Sequence, residues 1–301
     1  MQFRPRVAAV VAGTACAAGL FAVPHALGGS RVELLQCLDY IPTLVGTRGP
    51  DVLTGTVGDD VIVGLGGDDV ILGSWGHDVI CGGDGDDRIT GGVGLFESDV
   101  ISGDEGDDHI AVGGSASVLV YAFAPAPVRV DLKAGTATGW GRDTLVGISN
   151  VVGTEFGDLL QGSDEYDCFD GLSGDDVILA LGGDDCLYAG NGDDTLDGGP
   201  GLDLLSYRYS ANPVRVNLAR GTATGEGIDG VAAVEEVIGS SFGDALTGDA
   251  GTDKFRGEGG ADRLAGGAGT DRLGGGSGRD RVDGGVGRDY CLNAEQRLRC
   301  P

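Results

Sequence analysis

Nineteen aspartates recur along this chain at a nearly constant interval, and their carboxylates are the side chains best placed to do chemistry. From Gly46 five nonapeptides follow without a gap: GTRGPDVLT, GTVGDDVIV, GLGGDDVIL, GSWGHDVIC and GGDGDDRIT. Asp51, Asp60, Asp69, Asp78 and Asp87 hold the sixth position of each. A longer unit carries Asp99, and Asp108 lies nine residues beyond it. The pattern returns at Asp158, Asp167, Asp176, Asp185, Asp194 and Asp203, and again at Asp244, Asp253, Asp262, Asp271, Asp280 and Asp289. Carboxylates beside the carbonyls of glycine turns are hard oxygen donors at adjustable geometry. Such donors suit Ca2+, which accepts six to eight oxygens at about 2.3–2.6 Å, whereas Mg2+ demands a stricter octahedron and keeps its waters. Zn2+ prefers imidazole and thiolate. The only histidines are His25, His77 and His109, and the cysteines are scattered.

The elements that must position these carboxylates follow from the rest of each repeat. The Gly-Gly-x-Gly-x-Asp half allows the positive φ angles of a tight turn. Two residues after every motif aspartate stands a nonpolar side chain, from Leu53 and Ile62 through to Val282 and Cys291. One apolar residue between two outward neighbours reads as a three-residue strand of period two. Turn and strand in alternation make a coil in which two repeats complete a lap. Residues 18 apart then stack as parallel strands about 4.8 Å apart, with the apolar column as a thin core. Acids at the fifth position (Asp59, Asp68, Asp86, Asp107, Asp175, Asp184, Asp193) should point outward as solvated charges rather than ligands. Rows of carboxylates a few ångströms apart repel one another, so folding is expected to be coupled to cation binding.

A longer period overlies the short one. PVRVDLKAGTATGWGRD at Pro127 recurs as PVRVNLARGTATGEGID at Pro213, and in that register Ser117 stands where Asp203 stands one copy later. The division expected is a signal peptide at 1–28, an N-terminal cap at 29–45 and repeat blocks at 46–117, 153–206 and 239–292. Connector β-coils at 118–152 and 207–238 separate the blocks, and a C-terminal cap occupies 293–301. The connectors are richer in Val and Tyr and lack the aspartate period. They read as wider coils that continue the solenoid, the alternative being ligand-binding insertions.

GLGGDDVIL, GGDGDDRIT and GNGDD closely resemble the GGxGxDxUx repeat of the RTX (repeats-in-toxin) calcium-binding family, over roughly residues 46–292. The resemblance implies an all-β, right-handed parallel β-roll, a β-helix solenoid with several Ca2+ ions held between turns of successive coils. The nineteen aspartates named above are the metal-site residues it implies. Three turns depart from the pattern: Phe156, Glu165 and Phe242 replace the fourth-position glycine, which weakens the case for Asp158, Asp167 and Asp244.

Acidic residues outnumber basic ones 47 to 20, for a net charge of −27. That balance excludes nucleic acid as the default partner. Arg4 and Arg6, the apolar run from Val7 to Val23 and the small residues Ala26-Leu27-Gly28 are expected to form a cleaved secretory signal, sending the chain outside the cell. Gly13 and Gly19 break the run, which disfavours a membrane anchor, and no later segment is apolar enough to span a bilayer. Six cysteines remain after Cys16 departs, an even number suited to disulfides. Cys168 and Cys186 lie 18 residues apart at one register position and should stack. Cys291 with Cys300 would close one end; Cys37 with Cys81 would close the other by elimination, or stay free. The sequence holds no His-Glu-x-x-His and no phosphate-binding loop. The reading is a secreted, non-catalytic calcium-binding protein, the alternatives being a polysaccharide lyase or epimerase, or an adhesin, on a β-helical scaffold.

Overall fold

The computed structural model describes residues 37–38, 40–92, 98–113 and 117–300. The expected signal peptide at 1–28 and residues 29–36 of the N-terminal cap lie outside the described residues. No helix among the described residues is long and apolar enough to cross a membrane.

The chain forms two compact units, both parallel β-solenoids. One runs to Phe123 and takes in Gly135–Asn150. In it Val61–Gly66 stacks in parallel on Val79–Asp84, with Ile62 opposite Ile80, and Val70–Ser74 stacks on Arg88–Gly92, with Ile71 opposite Ile89. The longer repeat that carries Asp99 stretches one lap to 21 residues without losing register, so Ile80 faces Ile101 and Ile89 faces Ile110. Above this, Arg142–Val146 adds a further parallel strand with Leu145 opposite Ile110, and Thr136–Thr138 folds back on it antiparallel.

The other unit takes Ala124–Ala134 and Val151 onward. Leu159–Gln161, Val177–Leu179 and Thr195–Asp197 form one parallel face, and Cys168–Asp170, Cys186–Tyr188 and Leu204–Ser206 the other. The stack passes on to Ile228–Ala232 and Glu236–Ile238. Arg215–Asn217, Thr222–Thr224 and Ile228–Ala232 pair antiparallel, so the connector departs from a purely parallel coil before Arg215–Asn217 rejoins Ala245–Thr247 in parallel.

The inward column is what the two-residue offset from each aspartate requires. Ile62, Ile80, Ile101 and Ile110 are fully buried in the first unit, as are Leu160, Phe169, Ile178, Leu187 and Leu205 in the second. Burying each such side chain contributes about 1.5–3 kcal/mol. One inward hydrophobe for nine ordered residues is a thin core, and other contacts must help. Three disulfides do so: Cys37–Cys81, Cys168–Cys186 and Cys291–Cys300. Cys168 and Cys186 are register partners on adjacent strands with Cα atoms 4.6 Å apart, as their 18-residue spacing predicted.

Candidate metal centre

Of the nineteen motif aspartates, Asp51 is half-buried and the rest are buried, with exposures of 7% or less. Stacking brings them together as ladders along the edges of the coil. In every rung the Oδ1 of one aspartate accepts the backbone N–H of the aspartate one coil earlier. Asp51 donates to Asp69 at 2.7 Å, Asp69 to Asp87 at 2.8 Å and Asp87 to Asp108 at 2.9 Å. Asp158, Asp176 and Asp194 repeat the arrangement, as do Asp244, Asp262 and Asp280. The ladders end on substitutes: Ser117 Oγ accepts from Asp99, Glu235 from Asp203 and Glu295 from Asp280.

The second oxygen divides the aspartates into two sets. In Asp51, Asp60, Asp158, Asp167, Asp244 and Asp253, Oδ2 accepts the backbone N–H four residues back, from Thr47, Thr56, Thr154, Ser163, Ser240 and Asp249. Those six residues close their own turns too, because the side-chain oxygen of each accepts the N–H two residues on. These are Asx and Ser/Thr turns, in which a short polar side chain takes the place of a backbone bend. They occupy the first lap of each block.

In the laps above, the same carboxylate oxygen has no hydrogen-bond partner. Oδ2 is buried and without a donor in Asp69, Asp78, Asp87, Asp108, Asp176, Asp185, Asp194, Asp203, Asp262, Asp271, Asp280 and Asp289. Asp99 has a further interaction of its own and stands apart. Each of these twelve follows a second-position residue with positive φ, including Leu65 (80°), Leu181 (74°) and Glu258 (68°). That twist turns the second-position N–H away from its own aspartate and leaves Oδ2 open. A left-handed conformation costs a side-chain-bearing residue about 1–2 kcal/mol, so the stacked coil must impose it.

The open oxygens do not face empty apolar space. A Cβ on Gly64 would collide with both the Gly82 carbonyl and Asp69 Oδ2, and Gly171 meets the Ala189 carbonyl and Asp176 Oδ2 in the same way. First-position glycine is therefore the floor of a cradle in which a carboxylate and a carbonyl from the next coil converge. Burial is the main force on these groups. It pushes Asp87 up to about 7 and Asp108 and Asp176 up to about 8, with neighbouring carboxylates adding to the shift and the Oδ1 hydrogen bond opposing it. Asp60 goes the other way, because the Thr56 backbone N–H, with the Thr56 and Thr43 hydroxyls, stabilises its charge. In Asp158, Asp167 and Asp244 burial outweighs the caps.

Among the described residues no three His, Cys, Asp or Glu side chains surround one point as a metal cluster. A cation here must draw on main-chain carbonyls, which fits a hard ion of flexible coordination and not zinc. The residues present thus fit Ca2+ in donor type, burial and charge. The model of the RTX calcium-binding nonapeptide repeat (4 copies) matches residues 45–80, 72–94, 82–119, 152–185, 170–205, 238–273 and 257–291. The chain belongs to the RTX calcium-binding repeat family. No curated protein matches it. RTX repeats account for all three blocks, and Ca2+ is the ion this family implies.

Two features of this RTX solenoid escaped the sequence reading. Asp143 and Asp229, inside the connectors, occupy the rungs beyond Asp108 and Asp194 and accept their N–H groups at 3.2 and 3.4 Å. The surviving signal was a bare Gly-x-Asp, at Gly141-Arg142-Asp143 and Gly227-Ile228-Asp229. The fifth-position acids are exposed, as expected, yet they form a second ladder of opposite direction. Asp68 accepts the N–H of Asp86, Asp86 that of Asp107 and Asp107 that of Arg142.

Proposed function

We propose that this chain is an exported, non-catalytic protein that binds Ca2+ between stacked turns and orders as it does so. The observation that carries the reading is the set of twelve buried Oδ2 atoms without a donor, ten of them beside a first-position glycine and those of Asp185 and Asp194 in repeats that begin with Ala180 and Ala189. Leaving such an acceptor unpaired costs about 1–3 kcal/mol, and more when it is charged. That is of the same order as the gain from the one inward hydrophobe of each repeat. Turn by turn the two nearly cancel, and a cation tips the balance.

The residues assigned to hold the ions are those twelve aspartates, with carbonyls such as those of Gly82 and Ala189. Bound Ca2+ would supply the positive charge that makes adjacent buried carboxylates compatible. Asp60, Asp158 and Asp244 have both oxygens occupied within the protein, Asp51, Asp167 and Asp253 have Oδ2 closed by their own turns, and all six are assigned a structural role. Export is supported by the expected signal peptide and by three disulfides, which persist in oxidising compartments. Extracellular calcium modules typically bind at about 10⁻⁴–10⁻³ M, which would leave the chain metal-free before export.

Isothermal titration of the purified exported chain with CaCl2, beside far-ultraviolet circular dichroism, tests the reading. The expected result is heat-detectable uptake at millimolar calcium and a β signal that disappears in chelator. A chain fully ordered in chelator that takes up no calcium would sink the proposal. The non-catalytic part fails if the calcium-loaded protein depolymerises or epimerises acidic polysaccharides.

A further inference from the structure

The two rungs inside the connectors are completed by something other than an ion. Asp143 and Asp229 are 3% and 2% exposed, and each uses Oδ1 for the ladder like the motif aspartates before it. Their Oδ2 atoms differ. Asp143 Oδ2 accepts the hydroxyl of Tyr121 at 2.5 Å, and Asp229 Oδ2 accepts that of Tyr207 at 2.7 Å. Both tyrosines are themselves buried, at 2% and 1% exposure, 22 residues before their partners in each copy of the cassette. One rung earlier, Asp108 and Asp194 have the same burial and the same Oδ1 bond, but no donor at Oδ2.

We propose that Tyr121–Asp143 and Tyr207–Asp229 are metal-free rungs, in which a phenol hydroxyl gives the last carboxylate of a ladder the contact that a cation gives the others. A hydroxyl hydrogen aimed at Oδ2 occupies the direction from which a cation would approach, and the ring fills the space around it. The carboxylate is left with a donor at each oxygen and no need of a counter-ion. Calcium loading therefore stops at Asp108 in the first block and at Asp194 in the second along these ladders. It starts above the self-closed first laps, where Thr47, Thr154 and Ser240 cap Asp51, Asp158 and Asp244. Each block becomes a separate calcium register with protein-made ends. A solenoid needs such ends, because an unfinished rung would leave an unpaired charge where the repeat stops.

This inference rests on the calcium reading given above, and paired variants separate the two. Asp194→Asn and Asp229→Asn are neighbouring rungs of one ladder, and both can keep the Oδ1 acceptor. Calcium stoichiometry is measured for each by titration calorimetry of the full exported chain, with circular dichroism to show that it is folded. The expected outcome is one ion fewer per chain for Asp194→Asn and no ion lost for Asp229→Asn. An ion lost from Asp229→Asn overturns the metal-free rung while leaving the calcium reading intact. No ion lost from Asp194→Asn overturns the calcium reading at that site. Should Asp229→Asn fail to fold, Tyr207→Phe decides. It is expected to keep the wild-type stoichiometry but melt at a lower temperature in saturating calcium. Loss of an ion from Tyr207→Phe would make the tyrosine a ligand, and an unchanged melting temperature would make the hydroxyl idle; either result overturns the proposal.

Discussion

The first lap of each block and the laps above it share one motif and close it in two ways. In the first lap the second position carries Thr, Ser or Asp, whose side chain bonds the fourth-position N–H, and the aspartate folds its Oδ2 onto the backbone of its own turn. In the laps above, the second position twists to positive φ and the same oxygen is left open. The contrast teaches that an aspartate at the sixth position is not by itself a cation site. It becomes one where the turn leaves its second oxygen without a donor.

The largest test of that contrast is removal of the metal. In chelator the open laps keep buried carboxylates and lose their counter-charge, so the far-ultraviolet β signal should collapse and return on adding calcium. A smaller but local effect is expected from Asp69→Asn, which removes the charge of one open, buried carboxylate. It should remove one ion from the calorimetric stoichiometry, whereas Asp60→Asn, in a self-closed turn, should remove none.

The pH dependence of the metal-free chain sharpens the same difference. Burial raises Asp87, Asp108, Asp176 and Asp262 to about 7, 8, 8 and 7, against an ordinary value of 3.8. The folded chain thus binds these protons more tightly than the unfolded one. The resulting stability is present in full below the ordinary value and is lost as pH rises through about 7 to 8. Circular dichroism in chelator should therefore show more ordered chain at pH 5 than at pH 8, and a flat or inverse profile would contradict the burial of the open carboxylates.

Two side-chain changes complete the series. Thr56→Val keeps the shape but deletes the hydroxyl that closes the turn on Gly58, and should cost about 1 kcal/mol in calcium-saturated thermal unfolding with no change in ion count. Leu181→Gly relieves a left-handed side-chain-bearing residue in an open turn. It should stabilise by about 0.5–1 kcal/mol, the smallest effect of the set, because added freedom of the unfolded chain offsets part of the relief.

Much of the molecule was legible in advance. The nine-residue period placed the strand that follows each motif aspartate, and the 18-residue lap placed Cys168 against Cys186 and Ile62 against Ile80. The substitutions at Phe156, Glu165 and Phe242 marked three turns as different, and all three fall in self-closed first laps. Asp51, Asp60 and Asp253 belong to the same set although Gly49, Gly58 and Gly251 keep their turns looking ordinary. The available signal was the Thr or Asp at the second position, but Ser74 and Asp104 carry similar residues in open turns. Local composition alone does not separate the two.

What the sequence by itself determined is whatever depends on spacing: which residues stack, which point inward, and which acids share an edge. Periodicity fixes these because a coil repeats its geometry with its sequence. Only the tertiary structure decided where the second oxygen of each aspartate goes, and that Tyr121 and Tyr207 reach carboxylates 22 residues away. Those outcomes depend on which turn or ring lies above a given rung, and a motif nine residues long carries no record of the lap stacked upon it.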